Sequence, residues 1–437
     1  MLNAIWLALV VGSVLWAGFT GRMEALQKGM LDGAKSAIDL VLGLVGIMAF
    51  FLGLMRIARD GGLLLAVSRA LAPLLRRLFP DVPPDHPAMG AMIMNLASNM
   101  LGLGNAATPF GLKAMVELER LNARPGVATD AIVLFVVINA TVIHLFPLGT
   151  IAVRAGAGSV TPAAIWIPTL LATLASCTTA VGAHFLLRGL PRYRAERFPI
   201  REGAPSPAAT AVMAEVPEVP GPKEPPAPAS PVARLVILGV ALGFVTALVL
   251  FVLRAGRPPL DVLTDVASNW LLPGVVVALV LVGLAGRVRV YEAAVEGAKE
   301  ALEVAARIAP FLVVILVAVA MFRASGLLDL LISVVDPVTS RIGFPAEALP
   351  MAILRPLSGS GAFGVMSEIL KSQGPDSFVG MLVSTLQGST ETTFYVLAVY
   401  FGAAGVKDGR HALACCLLGD LAGFAMATAA CHLFFSA

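Results

Sequence analysis

Polar side chains that could bind a small solute are concentrated in four stretches of an otherwise apolar chain. Asn95 and Asn99 are four residues apart and therefore share a helix face, with Ser98 beside them. Arg355 and Glu391, one cation and one carboxylate, each lie in a stretch that is rich in hydroxyl groups. An ionisable group inside a bilayer is costly and faces a cavity or a partner, so these stretches predict a buried polar site.

The predicted site takes amide, hydroxyl and charged side chains from all four stretches. The amides would bind a polar solute through hydrogen bonds, and Arg355 would attract an anionic group. Glu391 would bind a coupling proton or cation, together with His144. We expect no catalytic residue, no metal ligand and no cofactor. The predicted substrate-binding residues are Asn95, Ser98, Asn99, Asn105, Asn139, Thr141, Arg355, Ser358, Ser360, Gln387, Ser389, Thr390, Glu391 and Thr392.

Three other interpretations of the same residues stay open. Ser, Thr, Asn and Gln also bond across membrane helices, for about 0.6 kcal/mol apiece, and could serve only as contacts between helices. Arg355 and Glu391 could form a structural ion pair. A Ser/Lys or Ser/His dyad would make the protein an intramembrane enzyme. The chain has no Gly-x-Ser-x-Gly, His-Glu-x-x-His or Walker sequence, so we expect no enzyme.

The composition of the whole chain is that of an integral membrane protein. Of its 437 residues 58% are hydrophobic and only 14% are charged, whereas about a quarter are charged in soluble domains. The net charge of +3 is too small to indicate a nucleic-acid partner. The four cysteines lie scattered in apolar segments without metal-binding spacing, so we interpret them as small buried hydrophobic residues.

Two of the polar stretches also interrupt the helical pattern. Gly102, Gly104 and Pro109 interrupt the stretch Met89–Glu117, and a proline with two glycines interrupts Leu354–Ile369. Lipid offers no hydrogen bonds, so irregular backbone survives in a membrane only where protein or a water-filled cavity surrounds it. Interrupted segments at corresponding places in two halves of a chain indicate a substrate site near the membrane midplane.

The two interrupted stretches belong to two copies of one duplicated unit. A shift of 264 residues, without a gap, pairs Gly33–Lys35 with Gly297–Lys299 and Arg59 with Arg323. Chance would not keep one register over such a span, so the sequence predicts a two-fold duplication. Further along, the offset changes and pairs Ser98 with Ser358 and His184 with His432.

The elements that must position the polar stretches are apolar helices, so the predicted fold class is an all-α polytopic membrane protein. Its two homologous repeats would contain broken or re-entrant helices. Whether the repeats are parallel or inverted stays open, because one miscounted re-entrant segment reverses the answer. The predicted first-half spans are Leu2–Phe19, Val41–Ile57, Ala131–Phe146 and Pro162–Leu187. The sequence also predicts an interfacial segment at Arg22–Leu40, an amphipathic helix at Gly62–Leu78 and a short helix at Gly111–Leu121.

Four domains are predicted along the chain. The first repeat covers residues 1–190 and the second covers 265–437. Between them, the proline-rich residues 191–231 form a flexible linker, which its basic start places in the cytoplasm. Residues 232–254 form an extra transmembrane helix without a partner in the first repeat.

Two long motifs resemble known membrane proteins. NMLGLGNAATPFGLKAMVELERLN, with the later HLFPLGTIAVRAG, resembles the spore maturation A proteins. QGSTETTFYVLAVYFGAAGVKDGRHALACCLLGDLAG resembles the spore maturation B proteins. The resemblance covers nearly everything outside about Tyr193–Leu260, and it implies the nucleoside-recognition, or Gate, group of membrane domains. Related gates form the membrane part of ferrous-iron transporters or are associated with nucleoside and small-solute transport.

These observations lead to an expected function. No cysteine or methionine is placed as a metal ligand beside Asn95 or Gln387, so an organic solute is favoured over iron. We expect a multi-pass transporter or gate of the bacterial inner membrane for a small polar or anionic solute, nucleoside-like or a carboxylate, bound between the repeats. The alternative is a non-transporting scaffold or assembly protein of the spore maturation type. The expected partners are the lipid membrane and a small-molecule solute. The sequence is also compatible with a homo-oligomer, and we expect no nucleic-acid partner.

Overall fold

Seventeen α-helices make up the part of the chain that this computed structural model describes, namely residues 2–102, 104–198, 230–256, 258, 262 and 265–435. The first half holds α1 (Leu2–Thr20), α2 (Met23–Asp60), α3 (Leu63–Leu78), α4 (Pro87–Met100), α5 (Gly104–Arg120), α6 (Asp130–Ala140), α7 (Leu148–Gly156) and α8 (Trp166–Leu187). Residues 199–229 of the predicted linker lie outside the described residues.

The remaining nine helices follow the linker. The bounds are α9 (Pro231–Arg254), α10 (Leu271–Ala285), α11 (Val290–Ala324), α12 (Leu327–Thr339), α13 (Leu349–Leu354), α14 (Gly359–Gln373), α15 (Phe378–Ser389), α16 (Thr393–Ala404) and α17 (Ala412–Phe435). No β-strand occurs among the described residues, so the predicted all-α fold is confirmed.

Several of these helices are long and apolar enough to cross a membrane. Four pass on length and composition, namely α2, α9, α17 and α8 together with the 3-10 turn Pro162–Ile165 before it. Two further pairs of helices are bent sharply at a short break, namely α10 with the start of α11, and the end of α11 with α12. The number of spans rises to six if each bent pair is counted as one span. The arrangement fits a chain that crosses the bilayer several times.

Three predicted helices have different bounds in the structure. The predicted interfacial segment before Val41 is continuous with the span, because α2 runs unbroken for 38 residues. The short helix predicted to begin at Gly111 begins instead at Gly104, and Pro109 lies inside it. The predicted span Ala131–Phe146 is wrong, since α6 ends at Ala140.

The early end of α6 has a physical cause. The carbonyl oxygen of Ala140 accepts a hydrogen bond from the backbone N–H of Glu391 in the other half, at 2.9 Å. Pro147 has no N–H with which to continue a helical ladder. Residues 141–147 therefore leave the helix, and α7 begins only after them.

The long homologous helices α2 and α11 pack side by side in opposite directions. A Cβ atom added to Gly33 would lie 3.2 Å from the Cα atom of Val317, and one added to Gly297 would lie 2.9 Å from the Cα atom of Gly53. The 264-residue shift pairs Gly33 with Gly297 and Gly53 with Val317. The two contacts are therefore the same contact seen from each half. The two halves are therefore related by an approximate two-fold axis perpendicular to these helices.

The homologous helices α8 and α17 show the same relation. Gly419 of α17 contacts Ala180, and Gly423, one turn later, contacts Ser176, one turn earlier in α8. Both helices are long and apolar enough to span a membrane, and they run antiparallel. This packing resolves the orientation that the sequence left open, because homologous spans that run antiparallel make the two halves inverted repeats.

Two ion pairs fasten each half to the other. The fully buried guanidinium of Arg154, in α7, lies 2.9 Å from the carboxylate of Asp376, just before α15. Arg410, just before α17, lies 2.6 Å from Asp130 at the start of α6. Since α6 and α15 are homologous and the halves are inverted, the two pairs lie toward opposite ends of the molecule.

The Asp376 carboxyl lies in the loop between α14 and α15. Burial alone would raise the pKa of Asp376, but hydrogen bonds from the Ser159 hydroxyl and the Val160 amide, with the charge of Arg154, outweigh burial and lower it. A carboxyl with a lowered pKa stabilises the folded state only while it is ionised.

The close contact between α2 and α11 generates one prediction. A Cβ atom at Gly297 would lie 2.5 Å from the Leu52 carbonyl oxygen, so Gly297→Ala must push the helices apart, at about 1–3 kcal/mol. Gly46→Ala in α2 is the control, because no atom lies within 4 Å of its Cβ position. Thermal unfolding of the purified protein in detergent should show a lower midpoint for Gly297→Ala alone, and equal midpoints would contradict this packing.

The loop carboxylate generates a prediction about pH. The stability that Asp376 contributes is fully present above its unfolded pKa, near 3.9, and is lost as the pH falls through the lower folded pKa. The difference in unfolding free energy between the parent and Asp376→Asn should therefore shrink between about pH 6 and pH 3. The exposed Asp85→Asn should show no such change, and a constant difference for Asp376→Asn would refute the prediction.

Candidate functional site

Four interruptions of the helices meet in the centre of the molecule. Among the described residues they are 101–102 between α4 and α5, 141–147 between α6 and α7, 355–358 between α13 and α14, and 390–392 between α15 and α16. Backbone groups of one interruption bond to those beside another. These bonds run from Leu145 N–H to Met100 C=O (3.1 Å), Glu391 N–H to Ala140 C=O (2.9 Å) and Phe394 N–H to Pro356 C=O (3.0 Å).

An amide network joins the two halves at this centre. The side-chain nitrogen of Asn95 donates to the Ala107 carbonyl at 2.8 Å and to the Tyr400 hydroxyl at 3.1 Å. Tyr400 in turn donates to the side-chain oxygen of Asn139 at 3.0 Å, which also accepts from Asn99 at 2.9 Å. The structure therefore brings three of the predicted asparagines into one network.

Tyr400 is a member of this network that the sequence interpretation missed. A tyrosine in an apolar helix such as α16 carries no spacing signal of its own. Gly111 is an indirect sign of its position, because the space beside this glycine is filled by Tyr400 and Asn95. A Cβ atom at position 111 would lie within 2.8 Å of both the Tyr400 ring and the Asn95 amide.

The charged side chains form a second network around Arg355. Its guanidinium donates to the backbone carbonyl of Thr390 and to the hydroxyl of Thr392, the latter at 3.2 Å. It also lies 3.8 Å from the carboxylate of Glu391, whose other oxygen lies 3.1 Å from His144. Arg355 and Glu391 are thus within ion-pair distance, as one of the interpretations required.

Exposure distinguishes the two partners of this ion pair. The Arg355 side chain is 4% exposed, whereas the Glu391 side chain is 40% exposed. Part of the Glu391 side chain is therefore not covered by protein atoms, whereas Arg355 is enclosed. Glu391 is therefore accessible to a bound solute or ion.

A cavity of about 320 Å³ adjoins the charged network. Gly359 and Ser360, in the first turn of α14, line this cavity together with Gly149 of α7, and Ser360 is the one polar side chain of the described residues in its lining. The rest of the lining is apolar and consists of Leu44, Met48, Val153, Val304, Leu312 and Phe363. Gly359 also touches the network directly, because a Cβ atom there would lie 2.9 Å from the Thr392 hydroxyl. Small-molecule sites in proteins have volumes of about 300–1,000 Å³, so a small solute would fit.

The remaining predicted residues have more local roles or cannot be placed. The hydroxyls of Thr141 and Ser389 donate to carbonyls of their own helices, at 2.9 Å and 2.8 Å. Ser358 accepts from the N–H of Gly361 at 3.0 Å and so caps α14. Asn105 lies in α5, but its side chain is outside the described part of the structure.

Six polar atoms of the predicted site are buried without a hydrogen-bond partner among the described residues. They are Asn95 Oδ1, Ser98 Oγ, His144 Nδ1, Arg355 Nε, Gln387 Oε1 and Thr390 Oγ1. Leaving a buried donor or acceptor unpaired costs about 1–3 kcal/mol. Buried polar groups without a partner are rare in folded proteins, and each needs an explanation. Binding a polar ligand is one explanation for these atoms.

The structure also shows a buried carboxylate that the sequence interpretation missed. Asp420 is only 2% exposed in α17, and its Oδ2 atom accepts a hydrogen bond from the Thr393 hydroxyl at 2.8 Å. The signal was present, since Asp420 is the only acidic residue in an apolar helix of 24 residues. Ionisable residues at such positions are expensive and usually functional.

Comparison with known proteins identifies the family. A family model described as nucleoside recognition, or Gate, matches residues 41–186 and 305–407, which is more than half of the chain. The chain belongs to the Gate family. The two matched ranges contain all four helix interruptions, so the family match and the site coincide.

Two curated relatives each match one half of this Gate protein. Spore maturation protein A of Bacillus subtilis (strain 168) is 43% identical over 181 residues, which cover 41% of this chain and 92% of the relative. Spore maturation protein B of the same organism is 47% identical over 159 residues, which cover 36% of this chain and 89% of the relative. The expected resemblance to both proteins is therefore confirmed, and the chain is a multi-pass membrane protein.

One solved structure is similar over most of its length. The match is to the crystal structure of the YdaH transporter of Alcanivorax borkumensis, described as having an unusual topology, and covers 96% of this chain and 89% of that one. The identity is 15% and the TM-score is 0.38, values too low to carry an argument about this Gate protein.

The amide network generates a prediction. Tyr400→Phe removes one acceptor for Asn95 and one donor to Asn139, so the unfolding free energy should fall by about 1–2 kcal/mol. The control is Tyr395→Phe on the same helix, which should stay within about 0.5 kcal/mol of the parent because that side chain is exposed. If thermal unfolding in detergent gave both variants the parent midpoint, Tyr400 would not hold the network together.

Proposed function

We propose that this Gate protein transports a small polar or anionic organic solute across the bacterial inner membrane, at the place where the four helix interruptions meet. The observation that carries this proposal is the set of buried, unpaired polar atoms contributed by Asn95, Ser98, Arg355 and Gln387. Two amide oxygens, a hydroxyl and a guanidinium N–H offer both acceptors and donors to one polar molecule.

The chemistry of the site supports a nucleoside-like compound or a carboxylate. The family is described as nucleoside recognition, and a nucleoside carries several hydrogen-bond donors and acceptors that could pair with amides such as those of Asn95 and Gln387. A carboxylate would instead use Arg355 and the first turn of α14, where the positive end of the helix dipole lies. Ser360 in that turn lines the adjoining cavity.

The inverted halves support alternating access. In inverted-repeat transporters the substrate lies at the interface of the repeats, and one repeat rocks against the other around it. Here the interface holds the polar networks around Tyr400 and Arg355, while the ion pairs of Arg154 and Arg410 lie toward opposite ends of the molecule.

Charge distribution supports an orientation in the membrane. Arg188 and Arg192 follow the end of α8. Arg410 donates a hydrogen bond to the backbone carbonyl of Tyr193, and Arg124 donates one to that of Phe198. These four arginines therefore lie at the same end of the molecule. Basic residues are enriched on the cytoplasmic side of membrane proteins, and we assign this end to the cytoplasm of a bacterial inner membrane.

We propose no enzymatic role. A serine nucleophile needs a base within hydrogen-bond reach. Ser98 has no hydrogen-bond partner among the described residues, and Ser358 is engaged in capping α14.

A ligand screen tests the transport proposal. A solute at about a hundred times its dissociation constant should stabilise the folded protein by roughly 2.7 kcal/mol, which thermal unfolding detects. We expect a hit among nucleosides, nucleobases and dicarboxylates. The shift should vanish in Gln387→Met and weaken strongly in Glu391→Gln, because the first loses an unpaired acceptor and the second loses the open carboxylate.

The control is Glu296→Gln, a fully exposed carboxylate paired with Lys299 on the surface, which should bind as the parent does. Uptake into proteoliposomes should follow the same order of variants. A flat screen, with all variants as stable as the parent, would favour a non-transporting scaffold of the spore maturation type instead.

A further inference from the structure

The buried carboxylate Asp420 has an environment that the proposed solute site does not use. One of its oxygens, Oδ2, is occupied by the Thr393 hydroxyl, while Oδ1 has no hydrogen-bond partner among the described residues. Two further buried oxygen atoms nearby are also unpaired, namely the hydroxyls of Thr390 and Ser176.

A single glycine shows that these groups are neighbours. Gly423 lies one helical turn after Asp420, on the same face of α17. A Cβ atom at Gly423 would lie 3.1 Å from the Thr390 side chain and 3.2 Å from that of Ser176. The carboxylate and both hydroxyls therefore converge from three segments, α17, the interruption after α15, and α8.

The hydroxyls of Ser176 and Thr169 are both buried in α8 without a hydrogen-bond partner among the described residues. Serine and threonine in membrane helices commonly donate to a carbonyl three or four residues earlier. Thr173 donates to Leu170 at 2.9 Å and Thr178 to Leu174 at 2.7 Å, whereas Ser176, fully buried between them, makes no such bond. Thr169 packs against Gly388 of α15, whereas the Ser176 side chain packs against Gly423, beside Asp420 and Thr390.

The charges around Asp420 do not balance. Arg355 and Glu391 lie 3.8 Å apart and neutralise each other. Asp420 adds a second carboxylate. The charge of Arg355 acts on it from a distance, but no cationic side chain of the described residues lies within 4.0 Å of it. With His144 neutral and Asp420 ionised, the cluster carries one net negative charge in a buried region, which is strongly unfavourable unless a cation compensates it.

The backbone adds to the same field. Helix α15 ends at Ser389, so its last carbonyl groups and the negative end of its dipole lie beside Thr390. Broken helices in transporters use such carboxyl-terminal ends to bind sodium ions or protons.

We propose that Asp420, Thr390, Thr393 and Ser176 form a binding site for a sodium ion that couples to solute binding, an inference that rests on the proposed function and deepens it. Hard cations bind to oxygen ligands, and this set offers a carboxylate with three hydroxyls. One positive charge balances the cluster, which favours a monovalent over a divalent ion. The unpaired hydroxyls favour a metal ion over a proton, because a proton on Asp420 needs no neutral oxygen ligands. The sequence assigned coupling to Glu391 with His144, but Glu391 is already balanced by Arg355.

The test is the sodium dependence of thermal unfolding for the full chain in detergent, with potassium or choline chloride keeping the ionic strength constant. We expect a saturable increase of the midpoint with sodium chloride. Asp420→Asn should abolish this increase, and the control Asp39→Asn, an exposed carboxylate on α2, should retain it. Asp420→Asn removes a buried charge, so a second variant is needed in case it does not fold.

Ser176→Ala is that second variant, since it removes a hydroxyl that has no protein partner. It should fold as the parent does and raise the sodium concentration for half-saturation about tenfold, as the loss of roughly one ligand bond implies. The matched control is Thr178→Ala on the same helix, whose hydroxyl is bonded to Leu174, and it should leave half-saturation unchanged.

The other outcomes distinguish a failure of the ion site from a failure of the solute site. Equal midpoint shifts with potassium or choline would mean a general salt effect and no sodium site. A shift that follows pH and ignores sodium would mean a proton on Asp420, Glu391 or His144. Solute binding that is indifferent to sodium, with no sodium shift, would remove the ion site and leave the proposed transport standing. A sodium shift that is lost in Asp420→Asn, without any solute hit, would keep the ion site and remove the solute.

Discussion

Lipid offers no hydrogen bonds to a polypeptide backbone, and the structure of this Gate protein depends on that constraint. Each helix interruption frees N–H and C=O groups that only other protein groups can satisfy. The bond from Glu391 N–H to the Ala140 carbonyl and the bond from Leu145 N–H to the Met100 carbonyl meet this need. The interruptions therefore have to lie together, and their meeting point becomes a place inside the molecule where polar side chains can be buried.

The duplication supplies a symmetric frame for asymmetric chemistry. The helices α2 and α11 exchange equivalent contacts, and α8 and α17 pack antiparallel. The charges are not duplicated, however. In the register that pairs His184 with His432, Glu391 corresponds to Ile143 and Asp420 to Ala172. The first half contributes mainly amides and the second half contributes the charges, so the site can present different chemistry to different parts of one ligand.

Much of the candidate site could be predicted from local patterns, and the misses share a cause. Asn95 and Asn99 were recognisable because a polar pair four residues apart is conspicuous in an apolar helix. Tyr400 was missed because its role comes from Asn95 and Asn139, which lie about 300 and 260 positions away in the chain. The end of α6 was missed for a similar reason, since its last carbonyl bonds to the other half of the chain.

The sequence by itself determined the membrane environment, the duplication and the positions of two helix interruptions. These follow from composition, from one register, and from glycine and proline at fixed places, all of which act locally. Only the tertiary structure decided that the halves are inverted and which polar groups meet. The sequence left the orientation of the repeats open, because one miscounted re-entrant segment reverses it. The packing of Gly33 on Val317 and of Gly53 on Gly297 removes the ambiguity, since the partner in α11 moves backwards as the chain advances along α2, which is possible only where the two helices run antiparallel.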